Sequence, residues 1–155
     1  MKRSLALLSL FILIVGSVYA QGIEFFHGTY EEALQKARTE GKQIFVDVYT
    51  SWCGPCKMMA KNVFTCREVG DYYNSKFVCL KLDAEKENTH AFFNDYQANG
   101  YPSFFWLDAQ GNLLETRTGF ASPEDFIRYA KEAVKSDFNV RLEAGRIRWE
   151  SGERS

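Results

Sequence analysis

The sequence predicts an α/β domain in which a mixed central sheet is flanked by helices on both faces. Short apolar segments alternate with segments that carry helix-capping signals, which is typical of alternating strands and helices. Ser103–Leu107 has no polar alternation, as expected of a strand buried on both faces. The turn sequence at 108–112 joins that strand to the next as a hairpin, so both parallel and antiparallel pairing are expected.

The strands and helices are expected in a definite order along the chain. Five strands are predicted: 23–26, 44–50, 77–82, Ser103–Leu107 and Leu113–Thr118. Five helices are predicted between and after them: one ending near Gly41, one from the CxxC segment that breaks near Phe64, one opened by the capping box at 65–68, one over 87–97, and a final helix. Capping signals mark three of the helix starts: the capping boxes 29–32 and 65–68, and the segment 122–125 before the final helix.

The most informative segment is Trp52-Cys53-Gly54-Pro55-Cys56, directly after the second strand. Two thiols at this spacing can close a disulfide only where the backbone turns tightly, as in the first turn of a helix. The unpaired N–H groups and partial positive charge of a helix start should lower the pKa of Cys53 and make it the nucleophile. Cys56, one turn deeper, is then the resolving thiol.

The other three residues of this segment suit substrate contact. Pro55 is tolerated in a first helical turn, where its missing N–H is not needed. Gly54 removes side-chain bulk where a substrate must approach, and Trp52 offers a flat apolar surface beside the reactive sulfur.

A lone CxxC pair can also be half of a zinc site or an inert buried pair. Zinc needs two further ligands, but His27 and His90 are isolated, and Cys66 and Cys79 do not form a second CxxC. No metal site is therefore expected. We expect Cys79 to be buried and Cys66 partly exposed, with a second disulfide between them as the open alternative.

From about residue 25 to about residue 135 the chain resembles the thioredoxin family. Besides the WCGPC segment, Asp47 falls on the family's buried acid, Pro102 on its cis-proline and Gly119 on the glycine after its last strand. The resemblance implies a thioredoxin fold and a role for Asp47 in accepting or relaying the proton of the deeper cysteine. It also implies a cis bond before Pro102 that turns the Tyr101 backbone toward the dithiol, where it can pair with an extended substrate.

Two of these positions lead to more specific expectations. Cys79 stands where thioredoxins commonly carry a lysine near the buried acid, so we expect burial to dominate and raise the pKa of Asp47. The alternative is that Cys79 is simply a small core residue. Tyr101 is larger than the residue that many thioredoxins place there, so it is expected to narrow substrate choice.

The first 20 residues read as a secretory signal, with Lys2 and Arg3 before a short apolar stretch and cleavage expected after Ala20. A thioredoxin-like domain is expected over 21–136, and a C-terminal extension over 137–155 is expected to be partly ordered at best. The product is expected to be soluble and exported. The bacterial periplasm is the favoured compartment and a eukaryotic secretory lumen the open alternative.

The function that the resemblance implies is a protein-disulfide reductase whose only redox group is the Cys53–Cys56 pair, with no further cofactor. Gly-Pro between the cysteines resembles the reducing thioredoxins, whose potential is about −270 mV. The expected partners are oxidised exported proteins and an electron-donating reductase, in the membrane or free. The net charge of −1 gives no indication of nucleic-acid binding, and a monomer is expected. The alternative is a binding or redox-sensing module of the same fold without efficient turnover.

Overall fold

A computed structural model describes residues 22–86 and 89–150, so the predicted signal segment lies outside the described residues. The strands are β1 Phe25–Phe26, β2 Gln43–Tyr49, β3 Phe77–Asp83, β4 Ser103–Leu107 and β5 Leu113–Thr118. The helices are α1 Tyr30–Glu40, α2 Gly54–Asn62, α3 Arg67–Lys76, α4 His90–Asp95 and α5 Pro123–Glu150. Every predicted strand is present, and the first is shorter than the sequence indicated.

The five strands form one mixed sheet in the order β1-β3-β2-β4-β5. β1, β3 and β2 are parallel, whereas β4 pairs antiparallel with both β2 and β5. β2 is the central strand, and all of its residues except Tyr49 are buried. A mixed sheet with a terminal hairpin was the fold expected from the sequence, and it is confirmed.

Two apolar clusters lie on opposite faces of this sheet. Phe45 of β2 points into one, with side chains of α2, α3 and α5. Val46 points into the other, with side chains of α1 and α4. Because successive side chains of a strand point to opposite faces, β2 contributes to both clusters. Helices therefore cover both faces, as predicted.

Local capping signals explain where two of the helices begin. The hydroxyl of Thr29 accepts from the Glu32 N–H while the Glu32 carboxylate accepts from the Thr29 N–H, which is a complete capping box for α1. α1 ends at Gly41, whose φ of 63° lies in the left-handed region that glycine adopts freely. The Ser122 hydroxyl accepts from the Asp125 N–H at the start of α5.

The predicted capping box at 65–68 is wrong. Cys66, not Thr65, is the N-cap of α3, and it makes no side-chain capping hydrogen bond. The Thr65 hydroxyl donates instead to the Lys61 carbonyl in the last turn of α2. Thr65 therefore closes the helix before it rather than opening the helix after it.

Helix α4, predicted over 87–97, ends two residues early, and residues 87–88 lie outside the described residues. It ends at Asp95 because Tyr96 is extended, and the Tyr96 hydroxyl donates to the Gly111 carbonyl of the β4–β5 hairpin. The Tyr96 hydroxyl also lies 3.0 Å from that of Tyr30 in α1. These tertiary contacts outweigh the local preference of the segment for a longer helix.

Helix α5 continues without a break through 137–150, a segment for which the sequence indicated partial order at best. Asp137 is buried and accepts from Gln43 Nε2 at 2.8 Å and from Arg141 Nε at 3.1 Å, which ties the helix to the start of β2. The division of the chain at 136 stays a prediction. No helix among the described residues is long and apolar enough to cross a membrane.

Gly70 of α3 allows the backbone at Gly22 to pack directly against the helix. A Cβ at position 70 would lie within 3.0 Å of backbone atoms of Gly22. Gly70→Ala is therefore expected to lower the free energy of unfolding by about 1–3 kcal/mol, measured by urea denaturation of the oxidised protein. Gly145→Ala is the control, because no atom lies within 4 Å of its added Cβ. Equal stability of wild type and Gly70→Ala would contradict this packing.

Candidate active site

The CxxC pair lies just past the C-terminal end of β2, at the start of α2. Cys53 and Cys56 form a disulfide with 5.3 Å between their Cα atoms, across the first helical turn as predicted. Cys53 is the N-cap, and the Cys56 N–H points at Cys53 Sγ from 3.1 Å. An N–H donor aimed at this sulfur stabilises a thiolate when the pair is reduced. Pro55 lies in the first turn, where no hydrogen bond needs its missing N–H.

The two cysteines differ little in exposure but face different surroundings. Their exposed fractions are 4% for Cys53 and 6% for Cys56. Gly54 and Pro55 between them are exposed, and a Cβ on Gly54 would meet nothing within 4 Å. Open space therefore lies beside Gly54 in the first turn of α2, while Cys56 lines a cavity with Lys81.

The cis-proline loop lies beside the disulfide because β2 and β4 are antiparallel neighbours. Val48 pairs with Ser103, so the chain leaving β2 and the chain entering β4 are adjacent. The Tyr101–Pro102 peptide bond is cis, as the resemblance implied. The Trp52 and Tyr101 rings meet edge to face with their centroids 6.0 Å apart. Trp52 and Tyr101 thus form an aromatic wall next to the two cysteines.

Gly119 supports this loop from the neighbouring strand. Its N–H donates to the Pro102 carbonyl at 2.8 Å, and its φ of 93° is in the left-handed region. A side chain at this position would be strained, which explains why a glycine follows β5.

Glu85 is part of the site, and the sequence analysis missed it. Its carboxylate accepts from the Trp52 indole N–H at 3.1 Å and from the Ser51 hydroxyl at 3.1 Å. Trp52 is 66% exposed and has few packing contacts to fix its ring, so the hydrogen bond from its indole N–H to Glu85 helps to orient it. Only the parallel pairing of β2 with β3 brings Glu85 to Trp52, and no local sequence signal predicts such a contact.

Asp47 is buried on β2, and the expectation that it lacks a nearby ammonium is wrong. Lys81 donates to Asp47 Oδ2, because the β2–β3 register places the two residues directly opposite each other. Cys79, two residues earlier on the same face, pairs with Phe45 and lies deep in the core. Burial raises the pKa of the Cys79 thiol. The lysine therefore comes from a position two residues further along β3.

Burial nonetheless raises the pKa of Asp47 above its ordinary value, and the Lys81 charge and hydrogen bond only partly offset that effect. The predicted direction is confirmed, although the reason given for it was incomplete. Asp47 Oδ1 has no hydrogen-bond partner among the residues described. The Lys81 ammonium lies over the rings of Phe25, Tyr49 and Phe64, at 4.5 to 5.0 Å from their centroids.

A cavity of about 200 Å³ lies between Lys81, the partner of Asp47, and the deeper cysteine. Cys56, Lys57, Thr50 and Lys81 are among the residues that line it. Thr50 Oγ1 is buried and, within the described part of the chain, has no hydrogen-bond partner. The cavity is large enough for water and has polar groups at several points of its wall.

The two remaining cysteines are free thiols. Cys66 is partly exposed and its thiol donates to the Asn62 carbonyl, whereas Cys79 is buried. Both placements agree with the prediction from the sequence. The alternative of a second disulfide between Cys66 and Cys79 is therefore wrong. No group of three His, Cys, Asp or Glu side chains that could hold a metal ion occurs in the part of the chain described.

Comparisons with known proteins agree with this geometry. A family model described as thioredoxin-like matches residues 26–109. The solution structure of a candidate disulphide-isomerase from Bacteroides thetaiotaomicron is 36% identical, covers 76% of this chain and 97% of its own, and superposes with a TM-score of 0.67. The oxidised C-terminal domain of DsbD from Neisseria meningitidis is 25% identical, covers 71% of this chain and 99% of its own, and has a TM-score of 0.59.

The chain is also similar to one part of a longer curated protein. The thiol:disulfide interchange protein DsbD of Colwellia psychrerythraea is 30% identical over 110 residues, which is 68% of this chain. The chain spans only 18% of the length of that relative.

The raised pKa of Asp47 makes the stability of the protein depend on pH. Folding favours the protonated acid, so its stabilising contribution is complete below the unfolded value of about 3.9 and is lost as pH rises through the folded value. Asn cannot ionise, so Asp47→Asn is expected to raise the free energy of unfolding at about pH 8. This gain should shrink as the pH approaches about 4.

Urea unfolding of the oxidised protein across this pH range measures the effect. Asp71→Asn, which changes an exposed carboxylate on α3, is the control and should show no comparable gain. A difference between Asp47→Asn and wild type that is the same at both ends of the range would contradict the raised pKa.

Proposed function

This chain belongs to the thioredoxin-like family, and we propose that it is a thiol-disulfide oxidoreductase that reduces disulfides in client proteins. One observation carries the proposal. The Cys53–Cys56 disulfide spans the first turn of α2, with the Cys56 N–H aimed at the Cys53 sulfur. Trp52 and Tyr101 form an aromatic wall beside that sulfur.

The reaction proceeds by two thiol-disulfide exchanges. The Cys53 thiolate attacks one sulfur of the client disulfide, and the other client sulfur leaves as a thiolate that takes up a proton. Cys56 then loses its proton and attacks Cys53 of the mixed disulfide. The second client thiol is released, and the Cys53–Cys56 disulfide forms. Two electrons pass from the dithiol to the client disulfide, and a dithiol reductase must return two electrons before the next cycle.

Asp47 is the group that we assign to the proton of Cys56. Its raised pKa suits proton exchange closer to neutrality than an ordinary carboxyl would allow. The cavity shared by Cys56 and Lys81 offers a route by which water can connect the thiol with solvent and with Lys81, whose ammonium is bonded to Asp47. Lys81 positions the carboxylate through Oδ2 and leaves Oδ1 without a hydrogen-bond partner among the described residues.

We propose that electrons flow from the dithiol to the client, as in a reductase. Gly54 and Pro55 resemble the intervening dipeptide of reducing thioredoxins, which favours a reductase over a strong oxidant. The clients would be oxidised exported proteins, met in the periplasm, and the donor a membrane-embedded or soluble reductase. A monomer suffices for this chemistry, because every group assigned to it lies in one chain.

Single cysteine substitutions separate turnover from binding. In insulin reduction with dithiothreitol as the reductant, Cys53→Ser is expected to abolish the rate above background, because no nucleophile remains. When reduced Cys56→Ser is mixed with insulin after removal of dithiothreitol, it is expected to accumulate a mixed disulfide with the client, because no thiol remains to resolve it. Cys66→Ser is the control and should keep the wild-type rate, since Cys66 takes no part in the disulfide.

Two results would contradict the proposal. A wild-type protein that accumulates the mixed disulfide and shows no turnover is a binding or sensing module instead. A reduction potential near the −120 mV of strong periplasmic oxidants, rather than near about −270 mV, would reverse the proposed direction of electron flow.

A further inference from the structure

Thr50 carries a buried hydroxyl in the short segment between β2 and α2. The residue is 3% exposed, and its Oγ1 has no hydrogen-bond partner among the residues described. Leaving a buried hydroxyl unpaired costs free energy, so such groups are rare in folded proteins and need an explanation. Within the described part of the chain, the oxidised fold makes no use of this hydroxyl.

The backbone holds Thr50 close to both cysteines. Its carbonyl accepts from the Cys53 N–H at 3.3 Å, which closes the turn that leads into α2. Thr50 and Cys56 line the same cavity of about 200 Å³. The unpaired hydroxyl therefore belongs to a residue that is fixed to Cys53 by a hydrogen bond and shares a cavity with Cys56.

The second exchange of the proposed reaction creates a charge at a site with little solvent. Cys56 is 6% exposed, so a thiolate that forms there loses most of its hydration. The other titratable residues lining the cavity are Tyr49, Lys57 and Lys81, and Lys81 is already bonded to Asp47. A neutral hydroxyl donor can stabilise the thiolate without changing the charge of this group of side chains.

We infer that the Thr50 hydroxyl is a hydrogen-bond donor to the Cys56 thiolate during resolution of the mixed disulfide. The inference rests on the proposed function and assigns a further residue to it. In the oxidised protein Cys56 Sγ is bonded to Cys53 Sγ and carries no charge, so the hydroxyl has no anion to bind. In the mixed disulfide that bond is absent, and Cys56 Sγ is free to turn about its Cα–Cβ bond toward Thr50.

The step conserves atoms and electrons. The Cys56 thiol gives its proton to Asp47, and the thiolate accepts the hydrogen bond from Thr50. The thiolate then attacks Cys53 Sγ and forms the Cys53–Cys56 bond. The bond between Cys53 and the client sulfur breaks, and that sulfur leaves with the electron pair as a thiolate.

The resolving step can be observed by itself with one equivalent of 5,5′-dithiobis(2-nitrobenzoate). The reduced Cys66→Ser protein is used, because it lacks the partly exposed free thiol and Cys79 is buried. Attack by Cys53 releases one 2-nitro-5-thiobenzoate, and attack by Cys56 on the mixed disulfide releases the second. Stopped-flow absorbance at mildly acidic pH, where the thiolate is the minor form, follows the two releases as separate phases.

Thr50→Val in this protein is expected to leave the first release unchanged and to slow the second about threefold. Loss of a hydrogen bond to an anion lowers the thiolate fraction about tenfold, and the higher nucleophilicity of the less acidic thiol recovers about a factor of three. The variant is expected to fold, because a methyl group of similar shape replaces a hydroxyl that is unpaired among the described residues.

Two further variants separate the hydroxyl from the packing of the side chain. Thr50→Ser restores a hydroxyl and should recover the fast second release, which a role of the threonine methyl group in packing would not produce. Thr116→Val makes the same change at an exposed position of β5 and should alter neither release. Equal second releases in Thr50 and Thr50→Val proteins, or no recovery in Thr50→Ser, would overturn the inference.

Nuclear magnetic resonance of the Cys53→Ser protein detects the hydrogen bond without turnover. The 13Cβ signal of Cys56, identified by its loss in a Cys53→Ser, Cys56→Ser double variant, reports the thiolate fraction as pH is raised. Adding Thr50→Val should lower the thiolate fraction at a given pH about tenfold. An unchanged titration of this signal would also overturn the inference.

Failure of the inference can be distinguished from failure of the proposed function. If the protein with Thr50 releases both equivalents and reduces insulin, but Thr50→Val behaves in the same way, only the assignment of Thr50 is refuted. If the protein with Thr50 releases the first equivalent alone, Cys56 does not resolve the mixed disulfide. The proposed function then fails, and the assignment of Thr50 fails with it.

Discussion

The position of β2 between a parallel and an antiparallel neighbour is the constraint on which the site depends. Its register with β3 sets Asp47 opposite Lys81, and its register with β4 sets Val48 opposite Ser103. A slip of one residue would turn Asp47 toward the other face of the sheet. The buried acid, the CxxC helix and the cis-proline loop meet at one edge because all three are placed by this strand.

The Asp47–Lys81 pair places a carboxyl in an apolar core beside a lysine whose charge only partly offsets the cost of burial. Asp47 is 1% exposed, so removal from water penalises its charged form, while the lysine attracts that form. Lys81 keeps part of its side chain in solvent and lies over aromatic rings, which limits the cost of its own burial. The outcome is an acid with a raised pKa on the strand that leads into the CxxC segment.

The two ends of β2 serve different purposes. The C-terminal end leads into Cys53, to which we assign the attack on a client disulfide. At the other end, Gln43 donates to the buried Asp137 and anchors α5 to the sheet. Beyond that anchor the helix is exposed as far as its side chains are described. The end of β2 that anchors α5 is therefore the end opposite to the CxxC segment.

The sequence by itself determined what neighbouring residues control: the reciprocal cap of Thr29 and Glu32, and a disulfide at CxxC spacing. Only the tertiary structure decided that Lys81 reaches Asp47, although the family pattern pointed to position 79. It also brought Glu85 to the aromatic wall. A cap or a helical turn forms within a few residues, whereas contacts between separate strands depend on a register that the whole core selects.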